Sequence, residues 1–157
     1  MQRKDKTNYY LDIADTVSRR STCLRRQYGA IVVRNDEILS TGYNGAPRGR
    51  KNCGDLGQCT RAELEIPSGE RYELCRSVHA EANAIISAAR RDMLGGTLFL
   101  SGRAYPQGEV LADTTSCTMC RRMIINTGIA RVVCKIGDDA YTVTEVQEWV
   151  DDDDSLP

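Results

Sequence analysis

Two β-branched runs, Tyr28–Arg34 (YGAIVVR) and Glu37–Tyr43 (EILSTGY), meet across Asn35-Asp36. Such residues fit a pleated, half-buried surface, and a two-residue polar connection between two such runs signals a tight hairpin. What surrounds this hairpin alternates. Before it, Tyr10, Ile13, Ala14 and Val17 fall at i, i+3, i+4 and i+7, the stripe of an amphipathic helix. After it, Ser77 reads as the N-cap of a second helix with Ala82, Ile85, Ile86 and Ala89 as its buried stripe. Thr97–Leu100 (TLFL) reads as a third strand, about Cys117–Thr127 as a third helix stopped by Gly128, and Arg131–Ile136 (RVVCKI) as a fourth strand. Strands alternating with helices imply an α/β layered fold with helices covering both faces of a sheet.

Residues 44–76 interrupt that rhythm as a long loop rich in Gly, Arg and Cys. Loops of this length are uncommon in a compact domain unless they are functional or pinned. Cys23, Cys53, Cys59 and Cys75 lie in or beside it, four of the seven cysteines in the 157-residue chain. The start, MQRKDKTNYYLDIAD, has no apolar leader segment. Thiols in such a chain point to the reducing cytosol, where metal or catalytic roles outweigh disulfides. Four thiols beside a poorly cored loop make a closed tetrahedral zinc site, whose binding energy would order the loop; scattered reduced cysteines are the alternative. Cys134, inside VVCKI, reads as a buried core thiol.

The length suits one domain, taken as 1–150, followed by an acidic, solvated tail over 151–157. No apolar run approaches the roughly 18–20 residues that would span a bilayer. A net charge of −1 and a pI near 5.9 argue against a global basic field for nucleic acid.

His79, the only histidine in the chain, is followed two residues later by Glu81. Cys117-x-x-Cys120 lies further on, at i and i+3 near a helix start, so both sulfurs point to one face. A catalytic zinc keeps three protein ligands and an open position, and one His with two Cys makes such a set. Helix N-termini favour thiolate over thiol. A thioredoxin-like redox pair is the competing reading of the two cysteines, and it leaves His79 and Glu81 unexplained.

His79-Ala80-Glu81 followed by Cys117-x-x-Cys120 resembles the H-x-E…P-C-x-x-C signature of the zinc-dependent nucleobase deaminases. Within them, Gly42-Tyr43-Asn44-Gly45-Ala46-Pro47-Arg48-Gly49 is similar to the GYNG-x-P loop of the deoxycytidylate (dCMP) deaminases, as are Ser21-Thr22-Cys23…Gly29-Ala30-Ile31-Val32-Val33 and His79-Ala80-Glu81…Asn83-Ala84-Ile85. The resemblance covers roughly residues 8 to 136. It implies a three-layer α/β/α sandwich around a central mixed sheet, and zinc-dependent hydrolytic deamination of dCMP to dUMP and ammonia. It places zinc on His79, Cys117 and Cys120, with Glu81 as the proton carrier. Backbone N–H groups near Ala80 and Cys117 would face the base. Some phage-type relatives hold a second zinc partly through cysteines matching Cys23 and Cys53; their histidine ligands are absent from this loop, and Cys59 and Cys75 would take those places. Ser116 stands where the family usually has proline, and the stretch from Leu100 to Cys117 is longer than in a compact dCMP deaminase.

Asn44 is the candidate for the sugar hydroxyl, since an amide both donates and accepts. Arg48, with Arg50 and Lys51 near it, is the candidate for one phosphate. Single-stranded nucleic acid would need a charged groove and stacking aromatics; aromatics are only 6% of this chain, which favours a free nucleotide. Two alternatives remain open: deamination of another amino-bearing nucleoside, nucleotide or base, and a non-catalytic zinc-stabilised binding protein. An unligated Glu81 argues against the latter. The resemblance further implies a cytoplasmic homo-oligomer, a hexamer or smaller, and some relatives are switched by dCTP and dTTP with magnesium.

Overall fold

Asn35 and Asp36 both take positive φ, 51° and 62°, as a two-residue type I′ connection requires. They join β1 (Arg26–Arg34) to β2 (Glu37–Tyr43) as the expected antiparallel hairpin. The computed structural model describes residues 1–153 and adds β3 (Thr97–Ala104), β4 (Arg131–Lys135) and β5 (Tyr141–Glu145) to one sheet. The order is β2-β1-β3-β4-β5, with β3 and β4 parallel and every other pair antiparallel. The helices are α1 (Lys6–Ser18), α2 (Cys53–Leu56), α3 (Thr60–Glu63), α4 (Ala80–Ile86), α5 (Arg90–Met93), α6 (Thr118–Thr127) and α7 (Val146–Asp151).

Successive strand residues point to opposite faces, and the central strands use both. Ala30, Val32, Leu98, Leu100, Val132 and Cys134 share one buried cluster with Ala80 and Ala84 of α4 and Ile124 of α6. Ile31, Val33, Phe99 and Val133 join Tyr10, Leu11 and Ala14 of α1 on the other face. Each fully buried Leu, Ile or Val contributes about 1.5–3 kcal/mol. The result is the three-layer α/β/α arrangement on a mixed sheet that the resemblance implied. Cys134 is the buried core thiol expected of it, and burial pushes it up to about 12.

The second helix departs from its sequence reading. It begins at Ala80 with His79 as N-cap, not at Ser77, and ends at Ile86. Ala89 lies beyond it, and Ile86 is 74% exposed. Ala82 is buried and Ile85 packs against the core as expected, and Ala80, Glu81 and Ala84 are buried with them. The cause is the closeness of α4 to β2: a Cβ on Gly42 would stand 2.3 Å from Ala84 N and 2.4 Å from Ala80 O. Only small residues fit such an approach, so Ile85 packs against the core from the side and Ile86 turns outward.

The long loop is not featureless, since α2, α3 and a 3₁₀ turn at Tyr72–Leu74 lie within it. β5 and α7 were not foreseen, and α7 takes in Asp151, the first residue of the acidic run. Residues 154–157 of that expected tail lie outside the described residues. Among the described residues, no helix is long and apolar enough to cross a membrane.

Candidate metal centre and pocket

Strand β2 fixes α4 in place. Gly45 and Val78 exchange backbone hydrogen bonds (3.2 and 2.8 Å), Asn83 Nδ2 donates to Tyr43 O at 2.8 Å, and Ser40 Oγ donates to Ala84 O at 2.7 Å. His79 therefore leaves the N-terminus of α4 in a fixed direction. Cys117 holds the matching position on the neighbouring α6: it is the N-cap, and its Sγ accepts a hydrogen bond from Cys120 N at 3.4 Å. Ser116, in the place of the family's proline, is buried; its carbonyl accepts from Arg121 Nε at 2.9 Å, and the Arg121 guanidinium lies over the Trp149 ring. Side-chain contacts thus hold the backbone that a proline ring would stiffen.

The two helix starts bring His79 Nδ1 within 3.5 Å of Cys117 Sγ and 3.4 Å of Cys120 Sγ. Zinc bonds of roughly 2.0–2.3 Å to N and S give tetrahedral edges of about 3.5 Å, so these spacings fit that ion. Three ligands leave a fourth position free. Tyr72 meets the His79 ring edge-on, 4.6 Å between centroids.

The three groups divide protons among themselves, and an incoming ion would have to displace those on His79 and Cys120. The Cys120 thiol is the chief influence that holds Cys117 down to about 4, with His79 adding to it, while Cys120 is pushed up because Cys117 takes the negative charge. Burial alone would push His79 down; the Cys117 and Cys75 thiols outweigh it and raise the imidazole to about 10. Glu81 is 5% exposed, and burial pushes its carboxyl up despite the nearby imidazole. A carboxyl so placed can carry a proton in and out of the site.

A cavity of about 300 Å³ ends on these groups, a size within the usual range for small-molecule sites. Tyr28, Asn44, His79, Ala80, Glu81 and Cys117 line it, as do Arg25, Arg26, Arg61, Tyr72 and Asp113. Asn44 is where the sequence put it, yet its amide is largely engaged. Oδ1 accepts from Ser21 Oγ (2.6 Å) and Tyr28 N (2.7 Å), and Nδ2 donates to Arg26 O at 2.9 Å. One Nδ2 proton is left for a ligand, so Asn44 can only donate.

The expected phosphate cluster is not at the cavity. Arg48, Arg50 and Lys51 are exposed and outside its lining. The chain after Gly45 turns outward, with Arg50 N bonded to Pro47 O at 2.9 Å and Arg76 Nε to Lys51 O at 2.5 Å. The cavity's arginines are Arg25 just before β1, Arg26 at its start and Arg61 of α3. Arg25-Arg26 adjoin the family-like block at Cys23, a signal that could have found them; nothing in the spacing singles out Arg61, Tyr72 or Asp113.

Cys23, Cys53, Cys59 and Cys75 share a neighbourhood: burial, then the three other thiols, pushes Cys53 up. Their sulfurs do not gather as the triad does. Among the described residues, His79, Cys117 and Cys120 are the only His, Cys, Asp or Glu trio with ligand atoms all within 4.8 Å of one another. Cys75 leans toward His79, whose imidazole holds that thiol down against the effect of burial.

A family model described as the cytidine and deoxycytidylate deaminase zinc-binding region matches residues 4–136. A deoxycytidylate deaminase of Mycobacterium phage D29 is 35% identical over 137 residues, covering 85% of this chain and 96% of its own. One from Schizosaccharomyces pombe is 33% identical over 142 residues; the match takes in 89% of this chain but only 40% of that longer relative. Among solved structures, the dCMP deaminase of cyanophage S-TIM5 superposes with a TM-score of 0.59 at 27% identity, over 85% of each chain. A second structure of that protein, in complex with dCMP and dUMP, gives 0.58 at 26% identity, over 85% of this chain and 83% of its own.

Proposed function

We propose that this chain, which belongs to the cytidine and deoxycytidylate deaminase zinc-binding family, hydrolytically deaminates deoxycytidine monophosphate to dUMP and ammonia. The observation that carries the reading is the His79–Cys117–Cys120 triad, at metal-ligand spacing, with the buried Glu81 carboxyl beside it in the cavity's lining. The phage and yeast deoxycytidylate deaminases and the dCMP–dUMP complex of the cyanophage protein support the substrate.

His79, Cys117 and Cys120 would hold zinc, which when bound lowers the pKa of a water toward neutrality and so supplies a nucleophile. The chain does the rest. Glu81 takes a proton from the attacking water and delivers it to the ring nitrogen as the oxygen adds to C4 of the cytosine; it then takes the proton left on that oxygen and passes it to the amine, which departs as ammonia while the oxygen becomes the carbonyl of dUMP. Its burial keeps the carboxyl from being held permanently ionised, as a two-way carrier requires. Ala80, lining the cavity beside it, offers its backbone N–H to the base. Asn44 donates its remaining N–H to the sugar, and Arg26 replaces Arg48 as the residue facing the phosphate.

We extend the proposal to a second, structural zinc on Cys23, Cys53, Cys59 and Cys75. Four neighbouring thiols without a disulfide support it, and an ion would draw the sulfurs closer. Seven unpaired thiols likewise support a cytoplasmic location. We also propose a single domain over 1–150, extended by α7 to Asp151, that works as a homo-oligomer on free nucleotides rather than nucleic acid; the two open sheet edges, β2 and β5, support assembly.

The test compares kcat/KM for dCMP and deoxycytidine, which differ only by the phosphate. Charge-assisted hydrogen bonds of about 1.5–3 kcal/mol correspond to roughly a 10–150-fold preference for dCMP. Arg26→Gln should narrow that gap and Arg48→Ala should not. Equal efficiencies on the wild type would defeat the nucleotide reading in favour of a nucleoside.

A further inference from the structure

The pocket wall sets a carboxylate against its own arginine. Asp113 Oδ2 accepts a hydrogen bond from Arg26 Nη1 at 3.0 Å, and both residues line the cavity that ends on Glu81. Arg26 opens β1, whereas Asp113 belongs to the segment between β3 and α6, the stretch longer than in a compact relative. Their side chains are 44% and 64% exposed. An ion pair that open to water is worth no more than about a factor of five in an equilibrium.

The other wall arginines differ. Arg61 gives Nη2 to the carbonyls of Pro67 and Glu70, both at 2.8 Å, and stacks over Tyr72. Its guanidinium is committed to shaping the loop. Arg25, exposed like Arg26, has no ion pair with a carboxylate among the described residues. Arg26 is the guanidinium at the cavity whose anion is an exposed and replaceable carboxylate.

We propose that Asp113 is a specificity-determining residue: it occupies Arg26 until a nucleotide phosphate displaces it, and so sets how strongly the pocket prefers a nucleotide over a nucleoside. This rests on the deaminase reading above. A phosphate monoester near neutral pH carries roughly 1.5–2 negative charges and three acceptor oxygens, against one charge and two oxygens on a carboxylate. It also suits the planar guanidinium fork, so it wins the exchange. Once displaced, Asp113 remains beside the bound phosphate as a like charge and weakens its hold. The acidic side chain thus works against the substrate's affinity.

The experiment measures kcat/KM for dCMP and deoxycytidine on the zinc-loaded wild type, on Asp113→Asn, which keeps the shape and removes the charge, and on Asp113→Asn combined with Arg26→Gln. The ratio of dCMP to deoxycytidine efficiency should rise about 2–5-fold in Asp113→Asn, through KM for dCMP. The gain should shrink at high salt, where exposed charges are screened, and vanish in the double variant. If the wild type prefers dCMP but Asp113→Asn leaves the ratio unchanged or lowers it, Asp113 is a wall residue or an aid to Arg26 and the inference is overturned while the deaminase reading stands. If the wild type shows no preference for dCMP, the nucleotide reading fails and the role of Asp113 fails with it.

Discussion

Two groups of thiols lie within reach of one histidine, and they are built differently. His79 and Cys117 cap helices that pack side by side on one face of the sheet, and Cys120 follows one turn into the second of them. Their spacing is fixed by elements the core already holds. Cys23, Cys53, Cys59 and Cys75 sit between α1 and β1, at the starts of two four-residue helices and after a 3₁₀ turn. No long element sets their distances, and their sulfurs stay further apart than those of the triad. The difference teaches which set is organised before a metal arrives and which would be organised by it.

Glu81→Gln sharpens that contrast most. Turnover should fall about 10²–10⁴-fold, the usual contribution of a positioned acid–base group, while metal analysis finds the triad's zinc still in place. Activity within a factor of two of wild type would remove Glu81 from the mechanism.

Cys53→Ser should give the opposite pattern. Wild type is expected to carry about two zinc ions per chain and the variant one, with part of the turnover retained, since the triad does not depend on the lost thiol. Loss of a structural site should cost at least about 2 kcal/mol, which for a domain of this size lowers Tm by roughly 4–8 °C. A wild-type content of one zinc would break the comparison and leave the loop held by Arg61 and its backbone bonds alone.

A smaller effect asks whether acid releases both regions together through the fold. Asp15 is 5% exposed; burial would push its carboxyl up, but the Arg103 guanidinium, bonded through Nε at 2.7 Å, and Ser101 hold it below the usual carboxylate range. A folded pKa below the unfolded value of about 3.9 means stability fully present above that value and lost as pH falls through the lower one. Asp15→Asn should therefore lower Tm at neutral pH by the equivalent of about 1–2 kcal/mol and flatten the acid limb of a Tm–pH profile. A variant whose acid limb matches wild type would assign acid sensitivity to other carboxylates.

The sequence reading reached furthest where structure is local. Asn35-Asp36 between two β-branched runs specifies a hairpin with no help from distant residues, and i, i+3 spacing on a helix start specifies where two sulfurs point. It failed where distance decides. The length and buried face of α4 follow from its contact with β2, which the stripe Ala82, Ile85, Ile86 and Ala89 does not encode. β5 was missed although Tyr141-Thr142-Val143-Thr144 alternates apolar and polar residues; it is a five-residue edge strand whose apolar side chains are exposed, so it adds no buried run to the pattern. Arg48, Arg50 and Lys51 lie outside the cavity lining, because charge clustering along the chain says nothing about which way a loop turns.

The contact between Gly42 and α4 bears on how such a chain can change over generations. Most surface positions accept a new methyl group without consequence, and most active-site positions reveal themselves by their chemistry. Position 42 has no functional group to lose, yet an alanine there would have to lift the helix that presents both His79 and Glu81. The damage would resemble a catalytic defect with every catalytic residue intact. A lineage could recover by substitutions that let α4 settle again, none of them touching substrate, so its record of repair would be written in residues that seem to have nothing to do with the reaction.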